Sequence, residues 1–130
     1  MIVVDASALL EVLLRTPAAE VVQARLFAPG QTLHAPHLLD VEVAQVIRRC
    51  AANGEIDDAR GRAALADLTD FPLRRYPHDL LLPRVWELRG NLTAYDAVYV
   101  ALAEALDAPL LTCDQRLAGA PGHGARVECI

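Results

Sequence analysis

The sequence predicts an α/β fold in which a mostly parallel sheet is covered by helices on both faces. Two apolar runs, Ile2-Val3-Val4 and Leu110-Leu111, show none of the alternation that a strand with one wet face needs, so both read as strands buried on each side. Longer stretches with helix start and stop residues separate such runs. Strands and helices alternate from end to end with no repeat, linker or low-complexity segment between them, which points to one domain over residues 1–130.

Residues 1–4 form the first strand and residues 6–14 the helix after it. Thr16-Pro17 reads as a helix start, with Thr as the N-cap and Pro at the first helical position; that helix runs to about residue 28 and stops at Pro29-Gly30. Residues 31–34 follow as a second strand. Pro36 opens a long helix that ends at Asn53-Gly54, where Gly accepts the left-handed turn of a helix terminus. Asp57 caps a helix reaching residue 70, and residues 73–76 are a third strand. Residues 79–89 are helical and close at Gly90. Thr93 caps a very apolar helix over residues 95–106, stopped by Asp107-Ala108-Pro109. Residues 110–112 are a fourth strand, 115–118 a helical turn and 126–129 a last strand.

Composition excludes several function classes. The chain is 54% hydrophobic and 22% charged, which fits a folded domain rather than a disordered one. No apolar run approaches the length of a membrane span and the start lacks the pattern of a signal peptide, so a cytoplasmic protein is expected, with no membrane contact. All 12 basic residues are Arg; without Lys there is no phosphate-binding P-loop and no Schiff-base chemistry. A net charge of −5 disfavours non-specific affinity for nucleic acid, so any such substrate must be held locally, by a few Arg and by metal. Cys50, Cys113 and Cys129 lack C-x-x-C spacing and read as buried free thiols.

Four carboxylates break the apolar pattern. Asp5 follows Ile2-Val3-Val4 and Asp114 follows Leu110-Leu111-Thr112-Cys113, both at the carboxyl ends of expected strands, where open α/β sheets bind ligands. Glu42 has Leu38, Leu39 and Val46 as its helical neighbours, and Asp96 has Leu92 and Val100, so both project from apolar faces. Asp40 lies about 200 degrees round the helix from Glu42 and reads as solvated. Asp96 stands three residues after Thr93, so a capping-box role and a ligand role are both open to it. Ionised carboxylates gathered in a compact fold repel one another unless a cation joins them. An all-oxygen set without Cys or His points to Mg²⁺, with Mn²⁺ as the substitute, rather than zinc. Such a site activates water and shields phosphate oxygens, and phosphodiester hydrolysis is its natural chemistry.

The other chemistry-bearing residues have bland readings. The pairs Arg48-Arg49 and Arg74-Arg75, and Arg84, Arg89 and Arg116, read as solvated surface, with RNA contact as the alternative. His34 and His37 straddle Pro36 in what reads as a loop. Cys113 adjoins Asp114 but lacks a His partner and reads as core.

The motifs Val3-Val4-Asp5-Ala6-Ser7, Leu39-Asp40-Val41-Glu42-Val43, Thr93-Ala94-Tyr95-Asp96-Ala97 and Thr112-Cys113-Asp114-Gln115-Arg116-Leu117, taken in this order, resemble those of PIN-domain ribonucleases and specifically the VapC-type toxins of toxin–antitoxin pairs. The resemblance implies a three-layer α/β/α fold and a Mg²⁺-dependent endoribonuclease. Its acidic positions match Asp5, Glu42, Asp96 and Asp114, with Asp5 and Asp96 expected to anchor the metal directly. Ser7 and Thr112 match the hydroxyl residues that support the site, with Thr93 in a similar role. Gln115 departs from the pattern, where an acidic residue sometimes stands. The resemblance further implies a homodimer and an antitoxin protein partner that blocks the site and carries the DNA-binding part. The alternative is an interaction protein of the same fold that binds antitoxin or RNA without cutting. A phosphoacceptor receiver domain needs a Lys, and a haloacid-dehalogenase-like phosphatase needs an Asp where Ser7 stands.

Overall fold

The computed structural model describes all 130 residues. Five strands, β1 (Ile2–Val4), β2 (Leu33–Pro36), β3 (Leu73–Tyr76), β4 (Leu110–Thr112) and β5 (Val127–Cys129), form one sheet in the order β3-β2-β1-β4-β5. Every pairing is parallel. The central strands are apolar on both sides because both faces are covered, and Ile2, Val3, Val4, Leu110 and Leu111 are all fully buried.

Seven helices cover the sheet: α1 (Ala6–Leu13), α2 (Ala19–Leu26), α3 (Leu38–Ala52), α4 (Asp58–Asp70), α5 (Leu82–Glu87), α6 (Ala94–Leu106) and α7 (Gln115–Gly119), with a 3-10 turn at Asp79–Leu81. Helices α1 to α4 pack among themselves, while α6 packs against α5 and lies over β1, β2 and β4. The result is the expected three-layer α/β/α arrangement. Residues Ala97 to Ala103 of α6 are buried without a break, as befits a helix laid across the middle of the sheet.

Several boundaries follow their expected signals. Asp57 caps α4 by accepting a 2.7 Å hydrogen bond from the Arg60 backbone N–H. Thr93 caps α6 through the Asp96 backbone N–H at 3.2 Å. Gly54 beyond α3 adopts φ +74°, the left-handed conformation that favours glycine there.

Other expectations need correction. Thr16 caps no helix: its hydroxyl donates to Glu11, and α2 begins at Ala19 after a turn. Pro36 does not open α3 but ends β2, paired with Tyr76, and the His37 N–H extends that ladder to the Tyr76 carbonyl at 2.8 Å. Proline fits the last position because it needs no donor there. The His34–Pro36 stretch is therefore strand, and His34 is buried between Thr32 and Tyr76, at 2.8 and 2.6 Å. Residues 79–89 divide into the 3-10 turn and a shorter α5. Asp40 is not merely solvated: the Arg75 guanidinium donates to both its oxygens, at 3.0 and 2.8 Å. All three cysteines are free, but only Cys50 and Cys113 are half-buried; Cys129 is exposed.

Candidate active site

The strand order places β1 between β2 and β4, so the chain runs outward from β1 in one direction to β3 and then returns to its other side for β4 and β5. The crevice between β1 and β4 is the point where a parallel sheet reverses its winding, and ligands bind there beyond the strand carboxyl ends. Asp5 follows β1 and Asp114 lies two residues beyond β4. The ladder continues one step past β1, with the Asp5 N–H on the Leu111 carbonyl at 3.0 Å, so the backbone of Asp5 is held by the sheet itself.

Asp5, Glu42, Asp96 and Asp114 all line one open cleft of about 540 Å³, together with Ser7, Arg49, Tyr95 and Arg116. Asp5 forms the floor, with only 8% of it exposed. A buried carboxylate must be satisfied by donors, and two hydroxyls do this. Thr112 Oγ1 donates to Asp5 Oδ2 at 2.6 Å and Ser7 Oγ donates to the same oxygen at 2.9 Å. The same hydroxyls then accept from the β4–α7 loop: Ser7 from the Cys113 N–H and Thr112 from the Asp114 N–H, each at 2.9 Å. Ser7 and Thr112 thus tie the floor carboxylate to the loop that carries the next one. Thr93 plays a different part, as the N-cap of α6.

Glu42 reaches the cleft from α3 and Asp96 from the first turn of α6. Glu42 is held by Tyr99, whose hydroxyl donates to its Oε1 at 2.5 Å. This bond links helices from the two opposite layers across the end of the sheet. Tyr99 lies one turn after Asp96 on the same helix. The sequence reading missed it; the available signal was a tyrosine inside an otherwise apolar helix, because a buried phenol needs a hydrogen-bond partner.

The carboxyl groups differ electrostatically. Burial pushes Glu42 above its ordinary value; the Tyr99 hydrogen bond pulls it down, and the negative charges of Asp5 and Asp96 push it up again. Burial also raises Asp96, helped by Asp5 and Asp114 and opposed by Arg116. Asp114 moves the other way, held below the usual carboxylate range first by its hydrogen bond with Arg116. Arg116 grips both oxygens of Asp114, at 3.2 and 2.8 Å. Within the cleft, that guanidinium is the one paired cation; Arg49 forms no ion pair.

The four acids share a cleft, yet each of three is drawn toward its own partner: Asp5 to the hydroxyls, Glu42 to Tyr99 and Asp114 to Arg116. No three of the Asp, Glu, His or Cys side chains stand close enough to ligate one ion as they are placed. His34, His37 and the cysteines lie outside the cleft.

Both the sequence and the fold match known proteins. The PIN domain family model matches residues 2–122. Ribonuclease VapC12 of Mycobacterium tuberculosis is 44% identical over 130 residues, covering 100% of this chain and 99% of its own length. Among solved structures, VapBC2 from Rickettsia felis, bound to a DNA fragment from its promoter, aligns with a TM-score of 0.71 at 14% identity, over 99% of this chain and 98% of that one. VapC20 of M. tuberculosis, described as a sarcin-ricin loop cleaving toxin, aligns with a TM-score of 0.69 at 18% identity, over 95% of this chain and 100% of its own. At such identities the two structures speak for the fold, while the family model and the full-length relative carry the kinship. The chain belongs to the PIN-domain family and, within it, to the VapC-type proteins.

Proposed function

We propose that the protein is the toxin of a toxin–antitoxin pair, an endoribonuclease that depends on Mg²⁺ or Mn²⁺ and hydrolyses RNA phosphodiester bonds with water. The observation that carries this reading is the meeting of Asp5, Glu42, Asp96 and Asp114 in one cleft at the winding reversal of the sheet. The name of the full-length relative, a ribonuclease, supports the same reaction.

The residues fit a hard divalent cation. The donors are all carboxylate or hydroxyl oxygens, and Glu42 and Asp96 are raised first by burial and then by neighbouring negative charge, so positive charge entering the cleft would favour their ionised forms. Asp5 and Asp96 would hold the ion directly, with Glu42 and Asp114 completing the site. When bound, the ion would supply an activated water and shielding for the phosphate oxygens. Ser7 and Thr112 fix the rotamer of Asp5, Tyr99 that of Glu42, and Thr93 the start of the helix that carries Asp96. Arg116 restrains Asp114 at the rim.

The partners follow from the same reading: RNA as substrate, an antitoxin protein that blocks the cleft, and a second copy of the chain. The exposed apolar side chains Leu80, Leu82 and Trp86, in and just before α5, are available to a second copy of the chain. The net charge of −5 makes direct DNA binding unfavourable, so contact with DNA would run through the antitoxin. No helix is long and apolar enough to cross a membrane, in keeping with action in the cytoplasm.

The test is RNA cleavage by purified protein in Mg²⁺, Mn²⁺ or chelator, with the product ends mapped. Cleavage must need the metal and must disappear in Asp5→Asn while the fold persists. Full activity of that variant, or metal-independent products, would refute the assignment.

A further inference from the structure

Of the twelve arginines, five are committed to carboxylates: Arg25 to Glu128, Arg75 to Asp40, Arg84 to Glu87 and Glu104, Arg116 to Asp114 and Arg126 to Asp107. Arg60 donates to the Leu13 carbonyl, Arg74 lies over the ring of Tyr76 and Arg89 over that of Trp86. Arg15 lines a separate hollow beside α2, and Arg48 and Arg62 line the groove between α3 and α4. Only Arg49 is both uncommitted and on the wall of the acidic cleft.

Its position follows from helix geometry. Arg49 is seven residues after Glu42 on α3, two turns along the same face and roughly 10 Å from it along the axis. It therefore flanks the acids without touching them. Tyr95, 64% exposed at the start of α6 and next to Asp96, lines the same cleft. A large aromatic left in water beside a charged cleft is a ready surface for a nucleobase, which stacks on it without sequence preference.

We propose that Arg49 and Tyr95 hold the substrate: Arg49 binds a phosphate near, but not at, the scissile one, and Tyr95 stacks a base of the same strand. The base must be unpaired to reach the ring, so the cleft takes a single-stranded RNA segment. This rests on the nuclease reading for its substrate, yet binding tests it separately. In an acidic protein the placement of one free cation decides where the strand lies, because the acids themselves repel phosphate.

The experiment measures fluorescence anisotropy of a short fluorescein-labelled single-stranded RNA of mixed sequence on the full chain, in Ca²⁺, as salt is raised. Steady-state cleavage of the same RNA is followed in Mg²⁺. Arg49→Ala should weaken binding about tenfold at low salt and flatten the plot of log affinity against log salt by about 0.7, the contribution of one phosphate on a single strand. KM should rise while kcat changes little, and Arg49→Lys should restore the slope. Arg48→Ala, which removes an equal charge from the neighbouring face of α3, in the groove against α4, should leave the slope of the parent. Tyr95→Leu should weaken binding of the single strand but not of a duplex of that sequence, and Tyr95→Phe should bind as the parent does. An unchanged slope in Arg49→Ala, or an equal loss in Arg48→Ala, overturns the phosphate contact. Equal losses for single strand and duplex in Tyr95→Leu overturn the stacking. Parent protein that binds with these responses but never cleaves keeps this inference and overturns the nuclease reading; absence of RNA binding overturns both.

Discussion

Replacing Tyr99 by Phe removes one oxygen and leaves the buried ring in place, so it isolates the 2.5 Å hydrogen bond to Glu42. Tyr99 is almost fully buried, at 1% exposure, while Glu42 is half-buried. A hydrogen bond to an ionised group contributes about 1.5–3 kcal/mol, and partial solvation of Glu42 places this one near the lower end. The phenol is the main influence lowering the Glu42 pKa against burial and against Asp5 and Asp96, so the variant should push that carboxyl further up. The sign for stability follows. The lost bond matters most where Glu42 is ionised, above its raised folded value, and least where the group is protonated in both folded and unfolded states. Without metal, urea unfolding at pH 8 should therefore show a larger destabilisation than unfolding at pH 4, below the ordinary Glu value, where the cost shrinks. The acid limb of the RNA-cleavage profile should also move to higher pH. Identical destabilisation at both pH values together with an unmoved acid limb would refute the idea that Tyr99 tunes Glu42.

Three further expectations rest on the same cleft. Thr112→Val keeps the shape of a fully buried side chain but leaves Asp5 with one hydroxyl donor, so it should cost about 1–3 kcal/mol in denaturant unfolding and reduce cleavage more than Ser7→Ala does. Asp96→Asn removes one of the repelling charges; the metal-free protein should melt at a higher temperature than the parent, while the rise in melting temperature on adding Mg²⁺ should shrink. Glu42 and Asp96 both have raised folded values, so ionising them disfavours the folded state, and metal-free stability should fall as pH rises through that range. Asp114, lowered by Arg116, acts oppositely and contributes stability that is lost only as pH falls through its depressed value. Saturating Mg²⁺ should flatten the descending slope, which thermal melts from pH 5 to 8 with and without the metal would reveal.

The alternation of strands and helices, the limits of β3 and β4 and the four acids were legible because each depends on local sequence. Apolar runs, Asp57 and Thr93 as caps, and charges within apolar faces are all signals within a few residues. What escaped depends on contacts between distant segments. Thr16 has the right neighbours for an N-cap, but Glu11 takes its hydroxyl. Pro36 looks like a helix start until β3 pairs beside it. Asp40 looks solvated until Arg75, thirty-five residues on, closes over it. The same limit hid Tyr99, whose value to the site rests on its hydrogen bond to Glu42 on a distant helix, and it left Arg49 undistinguished from Arg48, since only the face each occupies separates them.

The site's parts differ in how firmly the fold dictates them. Asp5 is positioned by the sheet through its own N–H and by two buried hydroxyls, so it cannot move without disturbing β1 and β4. Glu42 and Asp96 come from helices in opposite layers and repel both Asp5 and each other. Asp114 caps α7 by accepting from the Arg116 backbone N–H at 2.9 Å and pairs with the guanidinium of the same residue, which is 88% exposed. On the proposed reading, a cation entering the cleft would relieve a repulsion that Glu42 and Asp96 already carry. For that reason the metal response of stability, more than any distance in the metal-free cleft, is the measurement that decides whether these acids act as one site: a melting temperature indifferent to Mg²⁺ in the parent and in Asp96→Asn alike would mean that they do not.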